Sequence, residues 1–74
     1  MEERVKAIMA DIFMIDPSEI RNDTSMATLG QWDSLAQIDL IAALEEEFDI
    51  TFEVEDFERM TEFSTIMETL PLKV

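Results

Sequence analysis

The residue of this chain whose type and position best suit chemistry is a serine. Ser34 lies in the run Gly30-Gln31-Trp32-Asp33-Ser34-Leu35, where a polar loop ends and an acidic helix is predicted to begin. The chain contains no histidine, so the base that usually activates a catalytic serine is missing. We therefore interpret the Ser34 hydroxyl as a point of covalent attachment and not as a catalytic nucleophile.

The remaining side chains argue against an enzyme and against a tightly bound metal. Without His, Cys or Tyr, the possible acids, bases and nucleophiles are carboxylates, hydroxyls and two lysines. The same absence removes disulfides and the usual zinc ligands. Gly30 is the only glycine, which excludes a glycine-rich phosphate loop, and residues 25–29 before it supply no carboxylates for a calcium loop. The sequence predicts no catalytic site and no metal site.

Charge and length indicate a small acidic domain that binds other proteins. The 74 residues carry a net charge of −13, and the stretch from Asp33 to Glu58 has ten acidic residues and no basic one. Such a chain is repelled by nucleic acid and anionic membranes and attracted by basic protein surfaces. It shows no basic leader and no apolar run of about 18 residues. We expect a single monomeric domain over residues 1–74, cytoplasmic and not inserted in a membrane.

Apolar spacing and capping residues predict helices and no strands. Residues 2–14 form one helix by their apolar periodicity, and Asp16 to Ile20 form a single capped turn. A polar loop over 21–32 should be pinned by Met26, Leu29 and Trp32. Helices are then expected over about 34–48, 55–60 and 62–70, the last capped by Thr61 and ended by Pro71. The predicted fold class is all-α, a small four-helix bundle with three longer helices and one short one.

The predicted helix over 34–48 has two apolar faces instead of one. At 100° per residue, the core face consists of Leu40, Ile41, Leu44 and Phe48. Nearly opposite lies a second apolar strip, Leu35, Ile38 and Ala42, which is flanked by Asp39, Glu45 and Glu46. An exposed apolar strip with charged edges is typical of a docking surface.

Local sequence also offers a purely structural role for Ser34. The run Ser34-Leu35-Ala36-Gln37 fits a capping box, in which the serine caps the helix and the glutamine side chain reaches back. Asp33 is an alternative cap. A capping serine at the solvent edge of a helix remains compatible with attachment.

The motif and its surroundings resemble the acyl carrier protein family. The resemblance rests on Trp32-Asp33-Ser34-Leu35, on Ile38-Asp39-Leu40 and on the acidic run from Ala43 to Asp49, and it extends from Glu2 to Leu70. It implies an acyl-carrier-protein-type bundle in which the serine of Asp33-Ser34-Leu35 carries 4′-phosphopantetheine. A phosphopantetheinyl transferase would attach that group, whose thiol holds acyl groups as thioesters.

The resemblance also implies roles for other residues. Partner enzymes, namely acyl-loading, condensing or acyltransferase enzymes with basic docking patches, would meet Leu35, Ile38, Asp39, Ala42, Glu45, Glu46 and Asp56. An acyl chain would be sheltered beside Leu40, Leu44, Phe57 and Ile66, for which an ordinary core role is equally open.

The chain departs from the common fatty-acid carriers near the docking edge. Two residues, Gln31 and Trp32, separate Leu29-Gly30 from Asp33 where those carriers have one. Ala36 replaces a frequent acid and Ala42 a larger apolar residue. These differences favour a specialised carrier for a modified lipid, a polyketide or an amino-acid thioester. The alternatives are an aminoacyl or peptidyl carrier protein, and an acidic helical interaction module with no prosthetic group.

Overall fold

The architecture is all-helical, as the sequence predicts. The computed structural model describes residues 1–74, with helices α1 (Glu2–Phe13), α2 (Ser34–Phe48), α3 (Val54–Arg59) and α4 (Phe63–Lys73) and a short 3₁₀ turn at Pro17–Glu19. There is no strand, and the only β-type pairing is an isolated bridge between Ser25 and Glu62. Three longer helices and one short helix therefore confirm the predicted fold class.

One apolar core joins all four helices and the segments between them. It contains 14 buried residues, and Trp32 and Phe63 are among its largest fully buried side chains. The predicted core face of α2 is confirmed, because Leu40, Ile41 and Leu44 are buried and Phe48 packs against the core from a partly buried position. Trp32 is buried, and Met26 and Leu29 pack against the core, so all three residues pin the loop as expected.

The turn after α1 follows its capping signal. Asp16 accepts a hydrogen bond from the Ser18 amide at 2.9 Å, and Glu19 accepts one from the Asp16 amide at 3.0 Å. This reciprocal pair is a capping box. The turn directs Ile20 into the core, where its side chain is only 2% exposed.

The start of α4 differs from the prediction. Thr61 does not cap this helix; Glu62 occupies the N-cap position and makes no side-chain cap bond. Instead, the amides of Phe63 and Ser64 donate to the backbone carbonyls of Thr24 and Asn22 at 2.8 and 3.2 Å. The loop before α2 therefore satisfies the first amides of α4, which makes a side-chain cap unnecessary.

The end of α4 also differs from the prediction, because the helix continues through Pro71 to Lys73. A proline removes one amide donor and crowds the carbonyl four residues earlier, so a helix usually stops near it. Here the Val74 amide still donates to the Leu70 carbonyl at 3.2 Å. Lys73, in the added turn, forms an ion pair with Asp56 of α3 at 2.8 Å. These contacts after Pro71 hold the last turn in helical form.

Candidate functional site

Ser34 is the first residue of α2, and its side chain is exposed. The N-cap is Asp33, whose Oδ1 accepts a hydrogen bond from the Ala36 amide at 2.9 Å. The alternative in which Asp33 caps the helix is therefore confirmed, and the capping box of Ser34 and Gln37 is wrong. Because Asp33 performs the capping, the Ser34 hydroxyl makes no hydrogen bond within the chain and faces solvent.

The backbone around Ser34 provides two further free groups. In the first turn of α2, the Ala36 amide is used by the Asp33 side chain and the Gln37 amide by the Asp33 carbonyl at 2.9 Å. The amides of Ser34 and Leu35 precede the first helical hydrogen bond and have no partner in the chain. Unpaired amides and the helix dipole favour an anion at this position.

A buried hydrogen-bond network lies beneath this exposed end. The Trp32 indole is 1% exposed, its ring centroid lies 5.2 Å from that of Phe13, and its Nε1 donates to Gln37 Oε1 at 2.7 Å. Gln37 Nε2 in turn donates to the backbone carbonyls of Phe57 at 3.1 Å and Met60 at 2.9 Å. We call these three hydrogen bonds the Gln37 bridge. The bridge joins the loop before Ser34 to the C-terminal end of α3.

The sequence prediction did not identify the role of Gln37. Its position in the sequence could have indicated burial, because Gln37 lies three residues before Leu40 and four before Ile41, on the face predicted to be core. A glutamine there has to be satisfied internally, since a buried amide without partners is destabilising. The Gln37 side chain is used in the bridge and cannot reach back to cap the helix.

The second apolar strip of α2 is exposed, as predicted. Leu35 is 69% exposed, Ile38 is 54% exposed, and Ala42 also faces solvent. Asp39 and Glu46 are exposed beside the strip and take part in none of the ion pairs of the protein. We call these five residues the outer face of α2.

Two acids that the resemblance implied for partner contact have structural roles. Glu45 is partly buried, and its Oε2 accepts a hydrogen bond from the Phe52 amide at 2.7 Å, which fixes the connection after α2. Asp56 is buried: its carboxylate pairs with Lys73 at 2.8 Å and accepts the Glu53 amide at 2.9 Å. The hydrogen bond from Lys73 and then that from Glu53 lower the pKa of Asp56 from its ordinary value of 3.8. The placement of Asp56 on an exposed docking face is therefore corrected.

The four residues that differ from the common fatty-acid carriers fall into an exposed pair and a pair that packs in or against the core. Gln31 and Ala42 are exposed, whereas Trp32 is in the core and Ala36 packs against the core from a partly buried position. Trp32 and Ala36 thus support the fold and are not part of an exposed docking edge.

The four residues considered for an acyl pocket form part of the packed interior. Leu40, Leu44 and Ile66 are fully buried, and Phe57 is partly buried against the core. The hollows on the protein surface lie elsewhere. One is bounded by Ile8 and Ile12 of α1 and Ala43 of α2, and the other surrounds Arg4 and Ala7 at the start of α1.

No group of His, Cys, Asp and Glu side chains is arranged to hold a metal ion. None of the helices has the length and apolar character needed to cross a bilayer.

The chain is similar to known carrier proteins over nearly its full length. Residues 3–70 match the family described as "Phosphopantetheine attachment site". The chain is 36% identical over 72 residues to an acyl carrier protein of Thermosynechococcus vestitus, a match that covers 97% of this chain and 89% of that protein. In fold it matches a holo acyl carrier protein from Geobacter metallireducens, solved by solution NMR, with a TM-score of 0.86 and 22% identity over 97% of this chain and 83% of that one.

The family match over residues 3–70 defines the chain as a phosphopantetheine-dependent carrier. The chain belongs to the acyl carrier protein family. Members of this family are carriers and not catalysts, and they interact with a phosphopantetheinyl transferase and with biosynthetic enzymes. The predicted family and the predicted carrier role are confirmed.

Proposed function

We propose that Ser34 is the residue that receives 4′-phosphopantetheine and that this chain itself catalyses nothing. The observation that carries the proposal is the exposed hydroxyl of Ser34 at the first position of α2, beside the unpaired amides of Ser34 and Leu35. A phosphodiester on that hydroxyl suits the positive end of the helix dipole. When bound, the group supplies the thiol that this cysteine-free chain lacks.

Asp33 and Leu35 support the attachment in different ways. Asp33 holds the helix start through its bond to the Ala36 amide at 2.9 Å, which keeps the Ser34 hydroxyl free. Leu35 is largely exposed next to Ser34 and offers a modifying enzyme an apolar contact beside the hydroxyl. The base that takes the serine proton belongs to that enzyme, because the chain has no histidine and none of its side chains is hydrogen-bonded to the Ser34 hydroxyl.

Intact-mass measurement after enzymatic modification tests the proposal. Apo protein is incubated with coenzyme A and a phosphopantetheinyl transferase. Wild type should gain one phosphopantetheine, and Ser34→Ala should gain none while keeping the wild-type melting temperature, since the side chain is exposed. Ser18→Ala is the matched control, because Ser18 is also exposed near the start of a helical turn but donates its hydroxyl to Asp16 at 2.8 Å. No gain in wild type, or an equal gain in Ser34→Ala, would refute the assignment.

We further propose that the outer face of α2 is the docking surface for the transferase and for acyl-loading, condensing or acyltransferase enzymes with basic patches. Leu35, Ile38 and Ala42 provide an apolar strip that begins next to Ser34, and Asp39 and Glu46 provide unpaired negative charge. Rim charges of this kind act mainly on association rate and make it sensitive to salt. Glu45 contributes its charge at the edge of this surface but is anchored to the Phe52 amide.

Steady-state kinetics of the transferase test the docking surface. Ile38→Asp should raise KM for the carrier strongly, because it places a charge in the apolar strip. Asp39→Asn should raise KM less and reduce its salt dependence. Glu3→Gln, an exposed acid at the start of α1 outside any ion pair, is the matched control and should leave KM unchanged. Equal effects at Asp39 and Glu3 would show that only net charge matters and would contradict a defined surface.

The exposed departures at Gln31 and Ala42 support a specialised carrier over the primary fatty-acid carrier, because both are accessible to partners. We propose that the protein acts as a monomer in the cytoplasm, as one domain over residues 1–74. Loading enzymes that accept acyl or aminoacyl groups distinguish an acyl carrier from an aminoacyl or peptidyl carrier. A module without a prosthetic group would fail the mass test in wild type.

A further inference from the structure

The Gln37 bridge lies between the proposed attachment residue and the apolar interior. Gln37 follows Ser34 by three residues, so the two side chains leave α2 about one turn apart and only about 60° apart around its axis. Ser34 faces solvent, whereas Gln37 is 2% exposed and points toward α3. An acyl chain that is carried on Ser34 and enters between α2 and α3 toward Leu40 and Leu44 has to pass this bridge.

We propose that the Gln37 bridge closes this end of the bundle, so that the carrier keeps its thioester cargo outside the helices. The acyl groups that suit such a carrier are short or polar ones, which need no apolar shelter. This inference rests on the proposed role of Ser34 and adds the class of substrate. It also decides between the two roles left open for Leu40, Leu44, Phe57 and Ile66, which act as core and not as an acyl pocket.

The physical argument starts from what insertion of a chain would break. Separating α2 from α3 at this end pulls Gln37 Nε2 away from the carbonyls of Phe57 and Met60 and strains its bond to the Trp32 indole. Trp32 and Gln37 are almost fully buried and Met60 is completely buried, so water does not replace the lost partners without further opening. A hydrocarbon chain offers no donor or acceptor. Insertion would therefore leave buried polar groups unsatisfied, which is strongly unfavourable.

The packing beyond the bridge opposes insertion as well. Leu40, Leu44 and Ile66 have no exposed surface, and of the two surface hollows one lies between α1 and α2 and the other at the start of α1, so neither lies between α2 and α3. Close-packed interiors admit extra atoms only if helices move apart. If the interior could open, each buried methylene of the acyl chain would raise the equilibrium constant for the inserted state about fourfold. Long acyl chains therefore provide the most demanding test.

The test compares thioesters of different length on the intact protein. A transferase and the corresponding acyl-coenzyme A load acetyl, hexanoyl and decanoyl groups, and intact mass confirms one group on each Ser34. Two quantities are then measured: the rate of thioester cleavage by hydroxylamine relative to the same thioester on free pantetheine, and the amide and side-chain NMR shifts of the loaded forms. Failure of loading would refute the Ser34 assignment before this question arises, so the two failures are distinguishable.

We expect the three loaded forms to behave alike. Relative cleavage rates should be the same for acetyl and decanoyl, and the shifts of the Gln37 side-chain amide, the Trp32 indole and the core amides at Leu40 and Ile66 should not depend on chain length. Protection of the decanoyl form by about tenfold or more, the scale that corresponds to a tenfold preference for a sheltered state, would overturn the proposal. Length-dependent shifts at Leu40 and Ile66 would overturn it independently.

A variant tests whether the bridge is the cause. Gln37→Met keeps the side-chain length but removes the amide, and Gln31→Met makes the same change at an exposed position beside the site. In Gln37→Met the decanoyl thioester should become protected relative to acetyl, and in Gln31→Met it should not. If Gln37→Met does not fold, Trp32→Phe, which removes one of the three hydrogen bonds, replaces it with the same expected direction. A folded bridge variant that still leaves decanoyl unprotected would show that the bridge does not close the interior.

Discussion

The outer and inner faces of α2 lie on the same fifteen-residue helix but differ in burial and in their contacts with the rest of the bundle. On the outer face, Leu35, Ile38 and Ala42 are exposed and make no contact that the fold requires, and the exposed Ser34 lies next to this face. On the inner face, Gln37, Leu40 and Leu44 are buried, and each contacts other elements of the bundle. The face that carries the proposed function is thus separate from the face that carries stability, and only about 60° separates Ser34 from Gln37.

This separation explains how a small domain can present the proposed attachment residue without weakening its fold. Small domains have little stability in reserve, because they bury a smaller fraction of their surface. If the Ser34 hydroxyl had been the helix cap, modification would have removed a stabilising contact. Since Asp33 performs the capping, Ser34 can be modified while the helix start remains intact.

Truncation of one leucine on each face provides the sharpest test of the difference. Leu44→Ala on the inner face should lower the free energy of unfolding by about 2–5 kcal/mol, through lost burial and a residual cavity. Leu35→Ala is the same change on the outer face and should stay within about 0.5 kcal/mol of wild type. Urea denaturation followed by circular dichroism measures both. Similar losses for the two variants would show that the outer face is packed and would break the comparison.

The Gln37 bridge should give the next largest effect. Gln37→Met leaves the Trp32 indole N–H and the carbonyls of Phe57 and Met60 without their partner, and we expect a loss of about 1–3 kcal/mol in the free energy of unfolding. Gln31→Met at the exposed loop position should change it by less than about 0.5 kcal/mol. Chemical denaturation of both variants is the measurement. A loss at Gln37 no larger than that at Gln31 would show that the bridge does not stabilise the fold.

The helices and the exposed strip were predictable from the sequence because they follow from local spacing. The periodic set in α1, including Val5, Met9 and Phe13, marks a buried face whatever the partner helix is. The exposure of Leu35 and Ile38 followed in the same way, because two opposite apolar faces of one helix cannot both be covered in a bundle of this size. The motif that contains the proposed attachment residue was local too, since it lies within three consecutive residues.

The contacts that the sequence did not predict join residues far apart in the chain. Gln37 lies 20 and 23 residues from its two carbonyl partners, and Asp56 is paired with Lys73, which reaches it because α4 continues past Pro71. The first amides of α4 donate to carbonyls of the loop around Thr24. The predicted cap at Thr61 followed from the local sequence, which does not reveal these tertiary contacts. Buried polar groups depend on partners that periodicity does not reveal.

Removing the N-cap of α2 should have a smaller effect on the free energy of unfolding than the changes on the inner face. Asp33→Ala removes the acceptor for the Ala36 amide and should lower the free energy of unfolding by about 0.5–2 kcal/mol. Asp39→Ala removes an acid of the outer face that caps nothing and should have less effect. Thermal and urea unfolding measure stability, and the rate of enzymatic phosphopantetheine transfer measures access to Ser34. If Asp39→Ala destabilises as much as Asp33→Ala, the capping role is not what distinguishes the two acids.

The buried ion pair of Asp56 and Lys73 should make stability depend on pH at both low and high pH. Because the hydrogen bond from Lys73 lowers the pKa of Asp56 below 3.8, the stability from this pair is fully present above pH 3.8 and is lost as the pH falls through the lower folded-state value. The difference in free energy of unfolding between wild type and Asp56→Asn should therefore be constant at mildly acidic and neutral pH and shrink below pH 3.8. The pKa of Lys73 is raised above 10.5 by the same hydrogen bond, so the difference should also shrink as the pH rises beyond that value. Urea denaturation at a series of pH values measures this difference, and a pH-independent difference for Asp56→Asn would contradict a folded-state ion pair with Lys73.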